Sequence, residues 1–195
     1  MSLLRAFIAI ELPHSIQSAI EKATSTLRAE LGATVRWTAV QNIHLTLKFL
    51  GGISPASAEE VTQLLRAEAD SIPAFDIHVS GLGSFPNLKM PRILWVGIQA
   101  PTGLEALRRG IESACGRLGY EPEPRDFSPH LTIGRVKQDA SSVERGKIRR
   151  ALEAVTIDSL GTARVDSVHL FKSALKPSGA VYTKLFFAPL KNPGG

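Results

Sequence analysis

Two stretches of this sequence, one at the start and one near the middle, have the same order of residue types. Each has an apolar strand pattern, a proline and then an amphipathic helix pattern: RAFIAIELPHSIQSAIEKATSTL and RILWVGIQAPTGLEALRRGIESACGRL. The prolines, Pro13 and Pro101, are 88 residues apart, and a second repeated phrase, His-Leu-Thr-aliphatic at 44–47 and 130–133, recurs after 86 residues. Two features at nearly one offset indicate an internal duplication. We therefore expect two similar lobes related by a pseudo-two-fold axis.

Hydrophobic periodicity predicts the elements that these lobes contain. Helices are expected over 13–31, 55–70, 101–118 and 141–154, the last with a capping box between Ser141 and Glu144. Strands are expected over 3–11, 35–38, 43–50, 75–80, 93–98, 130–136, 163–171 and 181–190, with Gly51 and Gly52 ending the third. Long strand-only stretches with short turns favour an α+β fold with antiparallel sheets over a doubly wound fold.

Composition, charge and the cysteine count indicate what kind of protein this is and which partners it has. The 195 residues are 44% hydrophobic and 21% charged, which is typical of a globular chain. The net charge of +5 weakly favours an anionic partner such as nucleic acid or a phosphate ester. The single cysteine, Cys115, excludes an intrachain disulfide and favours a cytoplasmic setting. No apolar stretch approaches the roughly 18–20 residues that span a bilayer, so we expect no membrane association. We also expect a monomer without an obligate protein partner.

Strand alternation separates the residues of the repeated phrase onto two faces. In the first phrase Ile43, Leu45, Leu47 and Phe49 would be core, and His44, Thr46 and Lys48 would share the other face. In the second phrase His130 and Thr132 would point away from the core in the same way. Strict alternation sends Arg135 to the core face, unless the strand bulges near Gly134, which a glycine permits.

Two histidines that face each other across a cleft suit proton transfer at both ends of one reaction. A neutral imidazole takes a proton from the nucleophile, and a protonated imidazole gives one to the leaving group, both near neutral pH. A phosphoryl group fits between them, with its free oxygens bound by the hydroxyls of Thr46 and Thr132 and its charge neutralised by Arg135. Which histidine is the acid and which the base does not follow from the sequence.

The paired motifs HLTL and HLTI resemble those of the 2H phosphoesterase superfamily. The flanking phrases RAFIAI, RWT, NIHLTLKFLG, ILWVGI, FSPHLTIGRVK and LFKSALKPSGAVYTKL occur in order over nearly the whole chain. Together they resemble the bacterial and archaeal RNA 2′,3′-cyclic phosphodiesterases, also called 2′-5′ RNA ligases. The five site residues, His44, Thr46, His130, Thr132 and Arg135, match the motif residues of this family.

The resemblance implies a single two-lobed α+β domain over residues 1–195, with two antiparallel sheets that face a central cleft and helices outside. It implies metal-independent hydrolysis of RNA 2′,3′-cyclic phosphate ends to 2′-phosphates, and reversible 2′-5′ joining of RNA ends in vitro with a 5′-hydroxyl as the nucleophile. No cofactor is expected, and no residue is predicted to bind a metal. A phosphodiesterase for a small cyclic or 2′-5′ linked nucleotide and a non-catalytic RNA-binding module are the alternatives.

Two aromatic residues beside the motifs are candidates for stacking on a terminal base. Trp37 comes shortly before the first motif, and Phe127 comes shortly before the second. Unstacked RNA bases are commonly bound on aromatic side chains. Packing beneath the cleft is the alternative for both residues.

Overall fold

A computed structural model describes residues 3–176 and 179–191 of the chain. Within these residues the helices are α1 (His14–Leu31), α2 (Pro55–Ser71), α3 (Thr102–Arg117) and α4 (Ser142–Glu153). The strands are β1 (Leu4–Glu11), β2 (Val35–Trp37), β3 (His44–Ile53), β4 (Phe75–Phe85), β5 (Ile93–Gln99), β6 (His130–Val136), β7 (Gly161–Val165), β8 (Ser167–Lys176) and β9 (Gly179–Pro189).

The described strands form one sheet in the order β7-β4-β5-β6-β3-β1-β8-β9, with β2 also paired to β6. All of the named strand pairs are antiparallel. The sheet has two halves, one on each side of the contact between β6 and β3, and that contact consists of the single pair Leu45–Leu131. The α+β class is confirmed, and the two predicted sheets are the two halves of this joined sheet.

The duplication predicted from the sequence corresponds to equivalent elements in the two halves. In the first half β1 leads through α1 to its partner β3, and in the second half β5 leads through α3 to its partner β6. Pro13 and Pro101 occupy the same place, directly before their helices, with extended backbone conformations. Proline suits this position because the first helical residues have no intrahelical acceptor for their N–H groups.

The helices cover one face of the sheet. The apolar sides of α1, α2, α3 and α4 pack with alternate strand residues such as Ile8, Leu45, Val96 and Leu131 into one buried core. The other face, which we call the open face, carries a smaller apolar cluster of Phe7, Ala9 and Phe171. The candidate site residues lie on this open face.

Three of the predicted strand boundaries are wrong. The strand predicted over 75–80 continues to Phe85 as β4. Gly51 and Gly52 do not end β3, because Gly51 takes a left-handed conformation (φ 71°) at a bulge and the pairing with β1 continues to Ile53. The predicted strand 163–171 is two strands: β7 pairs with β4, and after Asp166 the chain continues as β8, which pairs with β1. The predicted connection between the last two strands falls partly on residues 177 and 178, which lie outside the described residues.

The capping box predicted for the last helix is confirmed. The Ser141 hydroxyl accepts a hydrogen bond from the backbone N–H of Glu144, and the Glu144 carboxylate accepts one from the backbone N–H of Ser141. Such reciprocal bonds satisfy two of the N–H groups that a helix leaves free at its start. The helix therefore begins where the sequence predicted.

Candidate active site

The two His-Leu-Thr motifs meet where the halves of the sheet join. Leu45 and Leu131 are direct strand partners, and both are buried in the core. Their neighbours point to the open face and are partly buried: His44 and Thr46 on β3, and His130 and Thr132 on β6. Because the pairing is antiparallel, His44 lies beside Thr132 and Thr46 lies beside His130. The structure thus brings together the four residues that the sequence predicted.

His44 is held by aromatic neighbours and by one backbone carbonyl. Its ring stacks on Phe7 at a centroid distance of 4.8 Å, and Tyr182 approaches it edge-on at 5.2 Å. Its Nδ1 lies 2.8 Å from the carbonyl oxygen of Asn42. A carbonyl oxygen can only accept, so Nδ1 carries the hydrogen and Nε2 is left for substrate.

His130 repeats this arrangement in the second half of the sheet. Its Nδ1 lies 2.7 Å from the carbonyl oxygen of Ser128, which again stands two residues before the histidine. Phe85 packs edge-on against the ring at 4.8 Å. Both imidazoles therefore have the same tautomer and the same free nitrogen, Nε2, as expected for groups that exchange protons with one bound molecule.

The electrostatic surroundings of the two histidines differ. Burial lowers the pKa of His44, while the hydrogen bond to Asn42 and the negative charge of Glu11 act in the opposite direction. Burial also lowers the pKa of His130, the Ser128 hydrogen bond opposes this, and the positive charges of Arg135 and Arg125 lower it further. A carboxylate thus favours protonated His44, and two guanidinium groups favour neutral His130.

A bulge in each motif strand reverses the side-chain alternation. On β6 the register shifts between Thr132 and Gly134, which turns Arg135 to the open face with His130. This is the bulge that strand alternation requires for Arg135 to reach the site. On β3 the register shifts between Thr46 and Lys48, and the residue that takes the equivalent open-face position is Phe49, which is 64% exposed.

The predicted position of Lys48 on the His44 face is therefore wrong. Lys48 is 5% exposed and lies on the helix-covered face, where its Nζ donates to the Glu112 carboxylate (2.5 Å) and to the Glu121 carbonyl oxygen (2.6 Å). Phe49, predicted to be core, is exposed for the same reason. One extra residue in a strand is enough to exchange the two faces.

The two aromatic candidates for base stacking have packing contacts within the fold. Trp37 pairs with Gly134 on the core side of β2, its indole N–H donates to the Gly32 carbonyl oxygen (3.2 Å), and Arg28 packs over its ring. Phe127 packs against the main core with Arg108 over its ring. These contacts correspond to the packing alternative, and base stacking by either residue stays a prediction.

Two charged residues of the open face were not predicted from the sequence. Glu11 on β1 is the strand partner of His44, and Arg36 on β2 is the strand partner of Arg135. Both follow from register, which the sequence does not contain. Arg36 belongs to the quoted phrase RWT, so alternation with the buried Val35 was the available signal for its direction.

The remaining expectations concern the cysteine, metal binding, membrane spans, cellular location and oligomeric state. Cys115 is buried in the core, and burial raises the pKa of its thiol to about 11. Residues 3–176 and 179–191 contain no cluster of three or more histidine, cysteine or carboxylate side chains placed to hold a metal ion. Over the same residues, none of the helices has the length and apolar character needed to cross a membrane. The cytoplasmic location and the monomeric state stay predictions.

Comparison with known proteins places the paired motifs in a family. The sequence profile of the 2′-5′ RNA ligase superfamily matches residues 12–177, a span that contains both motifs. The chain belongs to this superfamily. The resemblance noted from the sequence is thereby confirmed.

Relatives of this superfamily member match it over nearly their whole length. The RNA 2′,3′-cyclic phosphodiesterase of Methanothermobacter thermautotrophicus is 31% identical over 182 residues, which cover 93% of this chain and 96% of the relative. The enzyme of the same name from Aquifex aeolicus is 31% identical over 185 residues, with coverage of 94% and 95%. The similarity therefore extends over both halves of the sheet.

Solved structures have the same fold. The protein TT0787 of Thermus thermophilus superposes with a TM-score of 0.82 at 25% identity, covering 97% of this chain and 99% of the other. Apo LigT of E. coli gives 0.75 at 26% identity, with coverage of 98% and 99%. LigT has also been crystallised with 3′-AMP, and that complex gives 0.75 at 25% identity, with coverage of 96% and 98%.

Proposed function

We propose that this protein hydrolyses the 2′,3′-cyclic phosphate ends of RNA to 2′-phosphates, with His44 and His130 as its acid–base pair and without a metal ion. The observation that carries the proposal is the equivalence of the two histidines. Each stands on the open face beside a threonine of the other motif, and each has Nδ1 bound to the carbonyl two residues before it. Two such groups can serve the two ends of one displacement at phosphorus.

The charges around each histidine support an assignment of roles. His130, beside two guanidinium groups, is the general base, and its Nε2 takes a proton from the attacking water. His44, beside the Glu11 carboxylate, is the general acid, and its Nε2 gives a proton to the leaving O3′. The bond from water oxygen to phosphorus forms as the P–O3′ bond breaks, so one proton enters the pair and one leaves it.

The remaining predicted residues act on the phosphoryl oxygens. The hydroxyls of Thr46 and Thr132 lie on the open face beside the histidines and donate to the non-bridging oxygens. The guanidinium of Arg135, which the bulge on β6 turns to the same face, balances the negative charge that shifts during the transfer. Fixed donors of this kind stabilise a transition state because they need no reorganisation when charge develops.

The relatives support the choice of substrate class. Several curated relatives with about 30% identity are RNA 2′,3′-cyclic phosphodiesterases, and E. coli LigT has been crystallised with 3′-AMP and with phosphate. The same residues would also join RNA ends through a 2′-5′ linkage if a 5′-hydroxyl replaced water as the nucleophile that displaces O3′. Since each lobe supplies one histidine, we further propose that residues 1–195 act as one two-lobed domain.

Product analysis tests this function. A short RNA ending in a 2′,3′-cyclic phosphate is incubated with the purified protein in excess EDTA, and the end group is identified. We expect a 2′-phosphate end. A 3′-phosphate would contradict the proposed position of bond cleavage, and turnover that requires added metal would contradict the metal-free mechanism.

A further inference from the structure

Two arginines stand side by side on the open face. Arg36 on β2 and Arg135 on β6 are direct strand partners, and both are exposed. Side chains of directly paired residues lie close together, and like charges in this position are destabilising. Among the described residues, neither arginine has a carboxylate within 4.0 Å, whereas Lys48, Arg108, Arg164 and Lys184 each have one. The pair thus has the charge of an anion site.

Arg36 is fixed in place by its neighbours in β2. Val35 is buried, and Trp37 packs on the core side, where its indole donates to Gly32. Gly134 opposite leaves room for both, because a Cβ there would lie 2.6 Å from Val35 Cγ1 and 3.1 Å from the Trp37 ring. Strand alternation then directs Arg36 to the open face. A guanidinium on a rigid strand is a well-placed phosphate ligand.

The arginine pair lies some distance along β6 from the junction where the reacting phosphate would bind. Leu131, at the junction of the two motifs, and Arg135 are four residues apart, which is about 13 Å along a regular strand and somewhat less across a bulge. Arg135 can reach back toward His130, and its charge already acts on that imidazole. Arg36 extends the positive charge one strand further, onto β2.

The two sides of the junction differ in character. In the first motif, the position equivalent to Arg135 is occupied by Phe49, which lies near Phe7, and Phe7 in turn contacts Tyr182. At this position the side that carries His44 therefore presents an exposed aromatic ring. The side that carries His130, where Phe85 packs on the imidazole, presents a guanidinium instead. A phosphodiester chain that leaves the site would follow the basic side, because basic side chains attract its charges.

We propose that Arg36 binds the phosphodiester that precedes the terminal nucleotide, while Arg135 serves the cyclic phosphate itself. This inference rests on the proposed function and names its substrate class: the protein would prefer RNA ends to cyclic mononucleotides. A free cyclic mononucleotide has one phosphate and leaves Arg36 without a ligand. An RNA end supplies the second phosphate and occupies both guanidinium groups.

Three substrates distinguish binding of the preceding phosphodiester from binding of the cyclic phosphate. They are a cyclic mononucleotide, a dinucleotide with a 2′,3′-cyclic end, and the same dinucleotide with an uncharged methylphosphonate linkage. The KM and kcat of the natural protein are compared with those of Arg36→Gln and of Arg109→Gln. Arg109 is exposed on α3, on the helix-covered side, so the control removes the same charge away from the open face.

We expect Arg36→Gln to raise KM for the charged dinucleotide about tenfold, as for the loss of one hydrogen bond to a charged group. KM for the mononucleotide and for the methylphosphonate should be unchanged, and Arg109→Gln should alter none of the three. An equal effect on mononucleotide and dinucleotide would place Arg36 at the cyclic phosphate and overturn the inference. No effect on the charged dinucleotide would also overturn it.

A binding measurement tests the Arg36 contact without requiring turnover of the substrate. The Kd of a dinucleotide that already ends in a 2′-phosphate is measured at several salt concentrations. The slope of log K against log salt should be smaller by about 0.7 in Arg36→Gln, since one contact to a single-stranded phosphate is lost. An unchanged slope would contradict the second phosphate contact, whether or not the protein turns over cyclic ends.

Discussion

Glu11 and His44 are direct partners in the antiparallel pairing of β1 with β3. Burial lowers the pKa of His44, and the Glu11 charge partly offsets that effect. The same carboxylate accepts a hydrogen bond from Lys184 at 2.6 Å and lies 3.6 Å from Nε2 of His169, which is 4% exposed. No comparable carboxylate raises the pKa of His130 among the groups that act on it in the described part of the chain. The two halves of the duplication therefore repeat the imidazole and its backbone contact but not its charge environment.

Replacing Glu11 with glutamine should lower the activity at pH 7. Without the carboxylate the pKa of His44 falls further, so less of the proposed general acid is protonated at that pH. One limb of the pH profile of kcat/KM should move to lower pH while the other stays in place. The control Glu105→Gln, on the exposed side of α3, should move neither limb. Unchanged activity of Glu11→Gln at pH 7 would contradict the assignment of His44 as the acid.

The pH profile of the natural protein should be a bell whose maximum lies below about pH 6.5. The base must be neutral, so activity rises as pH increases through its pKa, and the acid must be protonated, so activity falls as pH increases through its pKa. Burial lowers the pKa of His44 and of His130 from the ordinary value of 6.5. Measurement of kcat/KM between about pH 4 and pH 9 reports these free-enzyme values. A maximum above about pH 7 would contradict the effect of burial on the pair.

Replacing Lys48 with methionine should destabilise the fold and leave the chemistry intact. The change removes the Lys48 cation but leaves the Glu112 carboxylate, which is only 17% exposed, with Arg108 as its remaining ion-pair partner. We expect the free energy of unfolding to fall by about 3 kcal/mol, measured by urea denaturation. The turnover of cyclic ends at low temperature should be close to that of the natural protein. A large loss of RNA binding without loss of stability would instead indicate that Lys48 contacts the substrate.

Much of the fold could be predicted because its signals are local. The capping box at Ser141, the prolines before α1 and α3, and the apolar stripes of the helices each depend on residues within one or two turns. The duplication then joined these elements into two similar halves. The paired histidines were found for the same reason, since alternation around Leu45 and Leu131 is a property of each strand alone.

The errors concern features that a partner strand determines. Lys48 and Phe49 exchange faces because β3 has an extra residue opposite Ile8 and Ala9 of β1, and nothing in the phrase HLTLKFLGG marks that bulge. The division at Asp166 arises because β7 pairs with β4 and β8 pairs with β1, and both partners are distant in the sequence. Arg36 and Glu11 were missed because the partners of Arg135 and His44 follow from register, which only the folded sheet defines.

The most direct measurement of the central claim compares His44→Ala and His130→Ala on an RNA with a 2′,3′-cyclic end. Each variant is first shown to be folded by circular dichroism and to bind RNA. Both are then also assayed on a substrate in which sulfur replaces the leaving O3′, because a thiolate leaves without a proton. This substrate separates loss of the acid from loss of the base.

Each variant should lose about 10²- to 10⁴-fold in kcat on the normal substrate, the usual contribution of general acid–base catalysis. On the sulfur substrate the His44→Ala variant should recover most of its rate, whereas His130→Ala should not. Recovery by His130→Ala alone would reverse the two roles. A folded variant of either histidine within tenfold of the natural protein on the normal substrate would contradict the paired-histidine mechanism itself.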